Sequence, residues 1–407
     1  MGNQISLPFA RWLITVLCFL ILALVLPHRG IAQVDPPPLR ENSSIEWTFF
    51  VKLGTGYVDS TNKQTLLSDN QGNLHAVWSA AQQDSYTLAS RVFYATKPKG
   101  GMWTNPLRIS GDALANKPDI AMDQANNIYA VWHGSGTFFA YKPHDGTWSD
   151  PIQILEDTGL YMPRIEVDAS GTVHFIGVDR NGFNYATRKN GNWSAMSTIP
   201  MDDLPADPCM VIDSKGTVHV LLAKSAGDWN IYYLYKTIDG QWTYPEQISW
   251  DGAWLADLAI DSKDTLYAVW EHPGETAYVG FREKPADGDW GELEKIDSAK
   301  RALAPQITAN NGKVELVYAR LGSFNDRYQI VYTEKNEGEN WSDLVPLTSP
   351  STDSTGPNLA VDPFGVTHVF WFSFVAPGLQ QNNAYGEFQY RRSADGLSFL
   401  FLPDIVR

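Results

Sequence analysis

One phrase returns seven times along the chain: an apolar strand, a tight turn built on Asp and Gly, then a second apolar strand that often ends in Trp. It reads TLLSDNQGNLHAVW from Thr65, DIAMDQANNIYAVW from Asp119, RIEVDASGTVHFIGV from Arg164 and CMVIDSKGTVHVLLA from Cys209. It returns as DLAIDSKDTLYAVW from Asp257, QITANNGKVELVYA from Gln306 and NLAVDPFGVTHVFWF from Asn358. Successive copies start roughly 45 to 54 residues apart, the range of propeller blades and longer than ankyrin, tetratricopeptide or leucine-rich repeats. Repetition at this period constrains the architecture and leaves the function open, because such a scaffold carries unrelated activities.

Each copy has a second half. A third strand (VFYATK, TFFAYK, FNYATR, IYYLYK, AYVGFR, QIVYTE, EFQYRR) leads through a Gly-containing turn to a fourth strand, and a Trp stands at that turn in all but the final copy. Asp-Gly and related turns supply the positive φ that tight hairpins need, and the strands are rich in Val, Ile, Tyr, Phe and Trp. No segment beyond residue 40 keeps a helical period. The expected fold is all-β: one seven-bladed β-propeller, four antiparallel strands per blade, over residues 45–407. Residues Trp47 to Leu53 resemble a fourth strand, so the N-terminal strand is expected to complete the final blade, with the tail from Leu397 to Ile405 as its competitor.

The first forty residues are of another kind. Arg11 precedes an apolar run from Trp12 to Leu26, and Gly30-Ile31-Ala32 offers small residues for cleavage. A run of about 15 residues suits a signal-peptide core better than a spanning helix, which needs about 20. Residues 1–32 are therefore read as a signal peptide, with an uncleaved N-terminal membrane anchor as the alternative, and 33–44 as a Pro-rich spacer. The chain is expected to be secreted or held in the cell envelope. Cys209 is the one cysteine beyond the leader, so no internal disulfide is expected there. A formal charge of -15 argues against nucleic acid and anionic membrane surfaces as partners; a membrane enters only if the N-terminal segment is retained. A monomer is expected.

The turns between third and fourth strands carry a family likeness. Ser393-Ala394-Asp395-Gly396-Leu397-Ser398-Phe399, and more loosely His144-Asp145-Gly146-Thr147-Trp148 and Ile238-Asp239-Gly240-Gln241-Trp242, resemble the Asp-box of the sialidase-like, BNR-repeat propellers. That resemblance implies an exported bacterial-type propeller whose Asp-boxes lie on the face opposite the active site. Enzymes of the family carry an Arg-Ile-Pro motif at the first innermost strand, where this chain has Lys63-Gln64-Thr65-Leu66. They also usually have six blades, against the seven read here.

Repetition separates scaffold from site. Trp47, Trp103, Trp148, Trp193, Trp242, Trp290 and Trp341 share one blade position and are expected to be largely buried between blades. His75, His174, His219 and His368 share another, which Tyr129, Tyr267 and Glu315 fill elsewhere; residues so spread cannot converge on one metal, and no metal or cofactor is expected. Asp112, Asp157, Asp202 and Asp251, with Asp59, Asp297 and Asp353, stand before the innermost strands and read as Asx-turns, or else as a carboxylate ring at one mouth.

Function then falls to residues that break the repeat on the opposite face. His133, Asp179, Arg180, Lys224, Glu271, His272 and Arg320 close the second strands, and loops add Tyr161, Trp229, Trp250, Trp254, Arg301, Phe324, Arg327 and Tyr385. Aromatic rings with mixed charges around a concavity suit a glycan, stacking on the sugar face and forking to hydroxyls or carboxylates. Two readings stay open. One is a non-catalytic propeller binding a carbohydrate or cell-surface ligand through His133, Arg180, Lys224, His272, Arg320, Tyr161, Trp229 and Trp254. The other is a glycoside hydrolase, exo-sialidase-like, with Glu271 and Asp179 as acid and base.

Overall fold

The repeated phrase folds as the alternation of its residues dictates. In the copy from Asp257, Trp254–Ile260 and Leu266–His272 pair antiparallel, with Ile260 opposite Leu266 and Asp257 opposite Val269, and Tyr278–Lys284 and Glu294–Ile296 complete a four-stranded sheet. The computed structural model describes residues 47–58, 64–81, 90–156, 161–179, 182–201, 205–226, 228–250, 252–274, 277–298, 301–310, 312–322, 327–375 and 384–393, all within one compact unit, Pro38–Arg407. The leader, the whole spacer, Arg180, Phe324, Asp59, Asp157, Asp202, Asp251 and the tail beyond Ser393 lie outside the described residues.

Among the described residues the chain is all-β, without a helix. Four sheets have four strands each, and a fifth adds both Asn192–Trp193 and Ser197–Pro200 to Gly182–Lys189. The remaining sheet has eight. In it Asp353–Val361, Thr367–Phe374, Ala384–Arg392 and Val51–Val58 pair in that order, and a single pairing of Tyr57 with Ala81 joins them to Thr65–Ser68, Leu74–Ala81, Ser90–Lys97 and Leu107–Arg108. The N-terminal strand therefore supplies the outer strand beside Ala384–Arg392, as expected. First strands of consecutive units touch one another, and Asp353–Val361 touches Thr65–Ser68, so the series returns on itself in a propeller-like arrangement.

Apolar side chains fill the space between successive units. Trp78, Ala76 and Leu66 pack with Phe370, Phe388 and Tyr390, and Val77 and Tyr94 pack with Ile120, Ala130 and Trp132 on the other face of the same sheet. Each repeat Trp adds an edge-on contact to a third-strand ring of the preceding unit. Trp148 meets Tyr94 (5.1 Å), Trp193 meets Phe139 (5.2 Å), Trp242 meets Tyr185 (5.3 Å), Trp290 meets Tyr233 (5.3 Å) and Trp341 meets Phe281 (5.1 Å). Trp103 meets Tyr390 across the closure (5.3 Å), and Trp47 meets Tyr332 (5.1 Å). These indoles keep only a minor part of their surface exposed, and the Nε1 atoms of Trp47, Trp103, Trp148, Trp193, Trp242 and Trp290 are buried, so they are largely buried between units as expected.

At the turn between first and second strands, an Asp carboxylate caps its own loop. Asp69, Asp123, Asp168, Asp213, Asp261 and Asp362 each accept two backbone N–H groups, as when Asp168 Oδ1 binds the amides of Ser170 (2.9 Å) and Thr172 (2.8 Å). The second oxygen faces the repeat histidine: His174 at 3.2 Å, His368 at 3.2 Å, His219 at 3.5 Å and His75 at 3.6 Å. The other ring nitrogen meets a third-strand hydroxyl, Tyr94, Tyr185, Tyr233 or Tyr390. Where Tyr129 or Tyr267 replaces His, its own hydroxyl reaches the Asp and the third strand carries Phe139 or Phe281 instead. Each histidine thus serves its own unit.

Burial holds His75 and His368 down at about 4 and also lowers His174 and His219, against the pull of the adjacent carboxylates. The unfolded chain therefore binds more protons below about pH 6.5, so this contribution is complete above 6.5 and is lost as pH falls toward 4. At about 1.4 kcal/mol per pH unit, His75 and His368 each contribute on the order of 3 kcal/mol. Buried carboxyls raised in the folded state act in the opposite sense over this range, so the histidine contribution is read by difference: a His174→Tyr/Tyr185→Phe double variant, which copies the Tyr–Phe units, should fold and should lose less stability than the unsubstituted protein between thermal melts at pH 7.5 and 4.5. Trp193→Ala should cost about 2–4 kcal/mol in urea unfolding. Deleting residues 41–58 should lower the melting temperature steeply, since it bares Ala384–Arg392.

Candidate functional site

The first strand of six units carries the same irregularity. The pairing register shifts after Asn116, Tyr161, Ala206, Trp254, Leu303 and Thr355, and each shift holds a residue at positive φ: Lys117, Met162, Asp207, Leu255, Ala304 or Gly356. Proline follows in all but the Leu255 case, removing a donor that the bulge leaves without a ladder partner. These bulges sit at the strand ends opposite the Asp turns and set what points into that mouth.

Beyond the bulge, one side chain in each of four units reaches the next. Asp119 accepts from the Thr65 hydroxyl (2.8 Å) and the Ile165 amide (3.1 Å), and Asp257 accepts from the Ile307 amide (2.9 Å). Arg164 donates to the Pro208 carbonyl (3.0 Å), and Asn358 donates to Gln306 (2.8 Å) while accepting from the Leu66 amide (2.9 Å). Inside this belt lies a cavity of about 360 Å³ lined by the first strands. Glu166 lines it, and burial, with Asp119 and Asp257 nearby, pushes its carboxyl up to about 8.

Side chains alternate along a strand, so the candidates at second-strand ends divide into two sets. Glu271 and His133 pair with Trp254 and Asn116 immediately before the bulge. Asp179 stands one residue beyond the corresponding Val178, as Lys224, His272 and Arg320 stand beyond Ala223, Glu271 and Ala319. Asp179 and Glu271 thus face opposite sides of their sheets.

The second set is engaged locally. Asp179 accepts from the Gly182 amide of its own hairpin (3.1 Å), Lys224 lies over Tyr232 (4.6 Å) and His272 stacks on Tyr278 (4.2 Å). Arg320 forks onto Asp297 (2.5 and 3.0 Å), which also takes the Tyr318 hydroxyl (3.3 Å). The proposed Asp ring divides too. Asp353 accepts from the Tyr328 amide (2.9 Å), whereas Asp112 is 89% exposed and pairs with Arg108.

What the fold does bring together lies where the units holding Asp207, Glu271 and Arg301 meet. Trp229 and Trp254 stack at 5.7 Å with planes 25° apart, fixed by the Ala253 amide donating to the Trp229 carbonyl (2.7 Å). Trp254 is 44% exposed and is the cross-strand neighbour of Glu271, itself 5% exposed. Burial pushes the Glu271 carboxyl up to about 7, opposed by the Arg301 guanidinium and the Ala304 amide and reinforced by Asp207. The positive φ of Ala304 belongs to the bulge that presents that amide. Asp207 escaped the sequence reading; its one signal is its place before Pro208, shared with Lys117, Met162 and Ala304. Tyr161 pairs through its backbone with Val178. Among the described residues no group of three or more His, Cys, Asp and Glu is arranged to hold a metal.

No family model matches the chain, and no curated protein matches it in sequence. Solved structures do share its fold. A polysaccharide lyase of the PL25 ulvan lyase family has a TM-score of 0.59 at 9% identity, covering 83% of this chain and 95% of its own. Polysaccharide lyase Uly1 gives 0.57 at 9% (86% and 99%), and the BP39L lectin of Burkholderia pseudomallei gives 0.57 at 13% (77% and 96%). At these identities the likeness is one of fold.

Arg320 is placed as a clamp on Asp297. Arg320→Met should therefore lower stability by about 1–3 kcal/mol in urea unfolding, by leaving that carboxylate unpaired, and should leave the Trp229–Trp254 surface intact by near-ultraviolet circular dichroism.

Proposed function

We propose that this chain is an exported, seven-bladed, sialidase-like propeller that binds a carbohydrate or cell-surface glycan at the mouth bearing Trp229, Trp254 and Glu271. The observation that carries this reading is the stacked, partly exposed Trp229–Trp254 pair directly beside a buried carboxyl and a guanidinium. An indole face covers the C–H face of a pyranose while charged groups take its hydroxyls or carboxylate. Polysaccharide lyases and a lectin among proteins of this fold support a carbohydrate ligand. The seven-blade count is supported by the cyclic contact of first strands. Cleavage of residues 1–32 and a monomeric mature protein belong to the same proposal.

A second reading is glycoside hydrolysis or lysis, favoured by one observation. A carboxyl pushed up to about 7 keeps a proton to donate near neutral pH, as a general acid must. The mature protein should retain glycans on an array, with Trp254→Ala abolishing retention. Chromogenic glycosides, sialosides included, and polysaccharide substrates separate the readings: binding without turnover supports the first. If turnover occurs, Glu271→Gln should cost orders of magnitude in rate at little cost in affinity, and wild-type activity should fall as pH rises past about 7.

A further inference from the structure

Asp207 is the acidic side chain at this mouth whose bonding is incomplete. It is 8% exposed, it stands at positive φ (46°) on a first-strand bulge, and its Oδ1 is buried with no hydrogen-bond partner among the described residues. The bulge is common to six units, so the backbone conformation is a property of the fold; the carboxyl is particular to this position. A buried carboxylate oxygen without a donor is costly, and native proteins keep such atoms where a ligand or water completes them. The neighbours are those of the proposed site: Asp207 acts electrostatically on Glu271, which pairs with Trp254, which stacks on Trp229. Arg301 acts on the same carboxyl from the adjacent unit on the other side.

We infer that Asp207 is a ligand-contacting residue whose Oδ1 accepts a hydroxyl of a pyranose ring stacked on the Trp229–Trp254 surface. Asp207 and Glu271, and not Asp179 and Glu271, then form the carboxyl pair of the site. The two carboxyls come from neighbouring units. Glu271, held by the Ala304 amide, fixes one side, and Asp207 selects ligands that present a donor on the other. An analogue that is deoxygenated at the contacted carbon would leave Oδ1 unpaired and be rejected. This inference rests on the carbohydrate reading above.

The test compares wild type with Asp207→Asn and Asp207→Gly. Both keep the bulge, since Asn and Gly tolerate its φ. Glycan-array retention and melting temperature are read on each. The expected result is a melting temperature equal to or above wild type in the ligand-free protein, with binding to the glycans wild type retains weakened at least about tenfold. A clear fall in melting temperature in both variants would make Asp207 a structural carboxylate and overturn the inference, as would unchanged binding. A wild type that retains no glycan would remove the carbohydrate reading itself, and this inference with it.

Discussion

The polar side chain that follows the bulge in four of the units, bonded to the backbone of the next, is the interaction on which the arrangement depends. Sheets that are apolar on both faces need neighbours on both sides, and a linear stack always leaves two faces bare. Asp119 on Ile165, Arg164 on Pro208, Asp257 on Ile307 and Asn358 on Leu66 hold consecutive first strands at a fixed spacing and angle. Dispersion and apolar burial between the sheets supply most of the energy, but they are nondirectional. The polar belt supplies direction, and it turns a stack into a closed series.

That belt also explains where chemistry can sit. The same bulges that free one side chain for the neighbouring unit aim a backbone amide or a side chain into the mouth, as Ala304 does toward Glu271. The Asp turns at the other end close on themselves: their carboxylates take two amides, then a histidine or tyrosine, and have little left for a ligand. One end of each unit is spent on its own turn and the other is open to variation.

Much of this was legible in the sequence. The repeat gave the strand pairs, the Asp turns and the interunit tryptophans, and recurrence of His75, His174, His219 and His368 correctly assigned them to the scaffold. The pairing of histidine with Tyr185 and of Tyr129 with Phe139 is legible too when second and third strands are compared unit by unit. Strand parity was also present: Asp179 lies eleven residues beyond Asp168, whereas Glu271 lies ten beyond Asp261, so the two point to opposite faces. What was not legible is the electrostatic influence of Asp207 on Glu271, which joins different units and depends on a bulge whose φ no residue type announces.

The outer strand Val51–Val58 is made early and seated only after Ala384–Arg392 exists. Its bonds span most of the chain, as between Lys52 and Glu387, 335 residues apart. Long loops add little to the equilibrium cost of closure, but nonlocal pairing slows the search for it. Until the final strands are synthesised, the growing arc holds an unpaired edge and an uncovered apolar face at each end. A chain broken anywhere within the last repeat therefore forfeits not one contact but the whole seam, and an unfinished copy is a template for joining its open end to another copy.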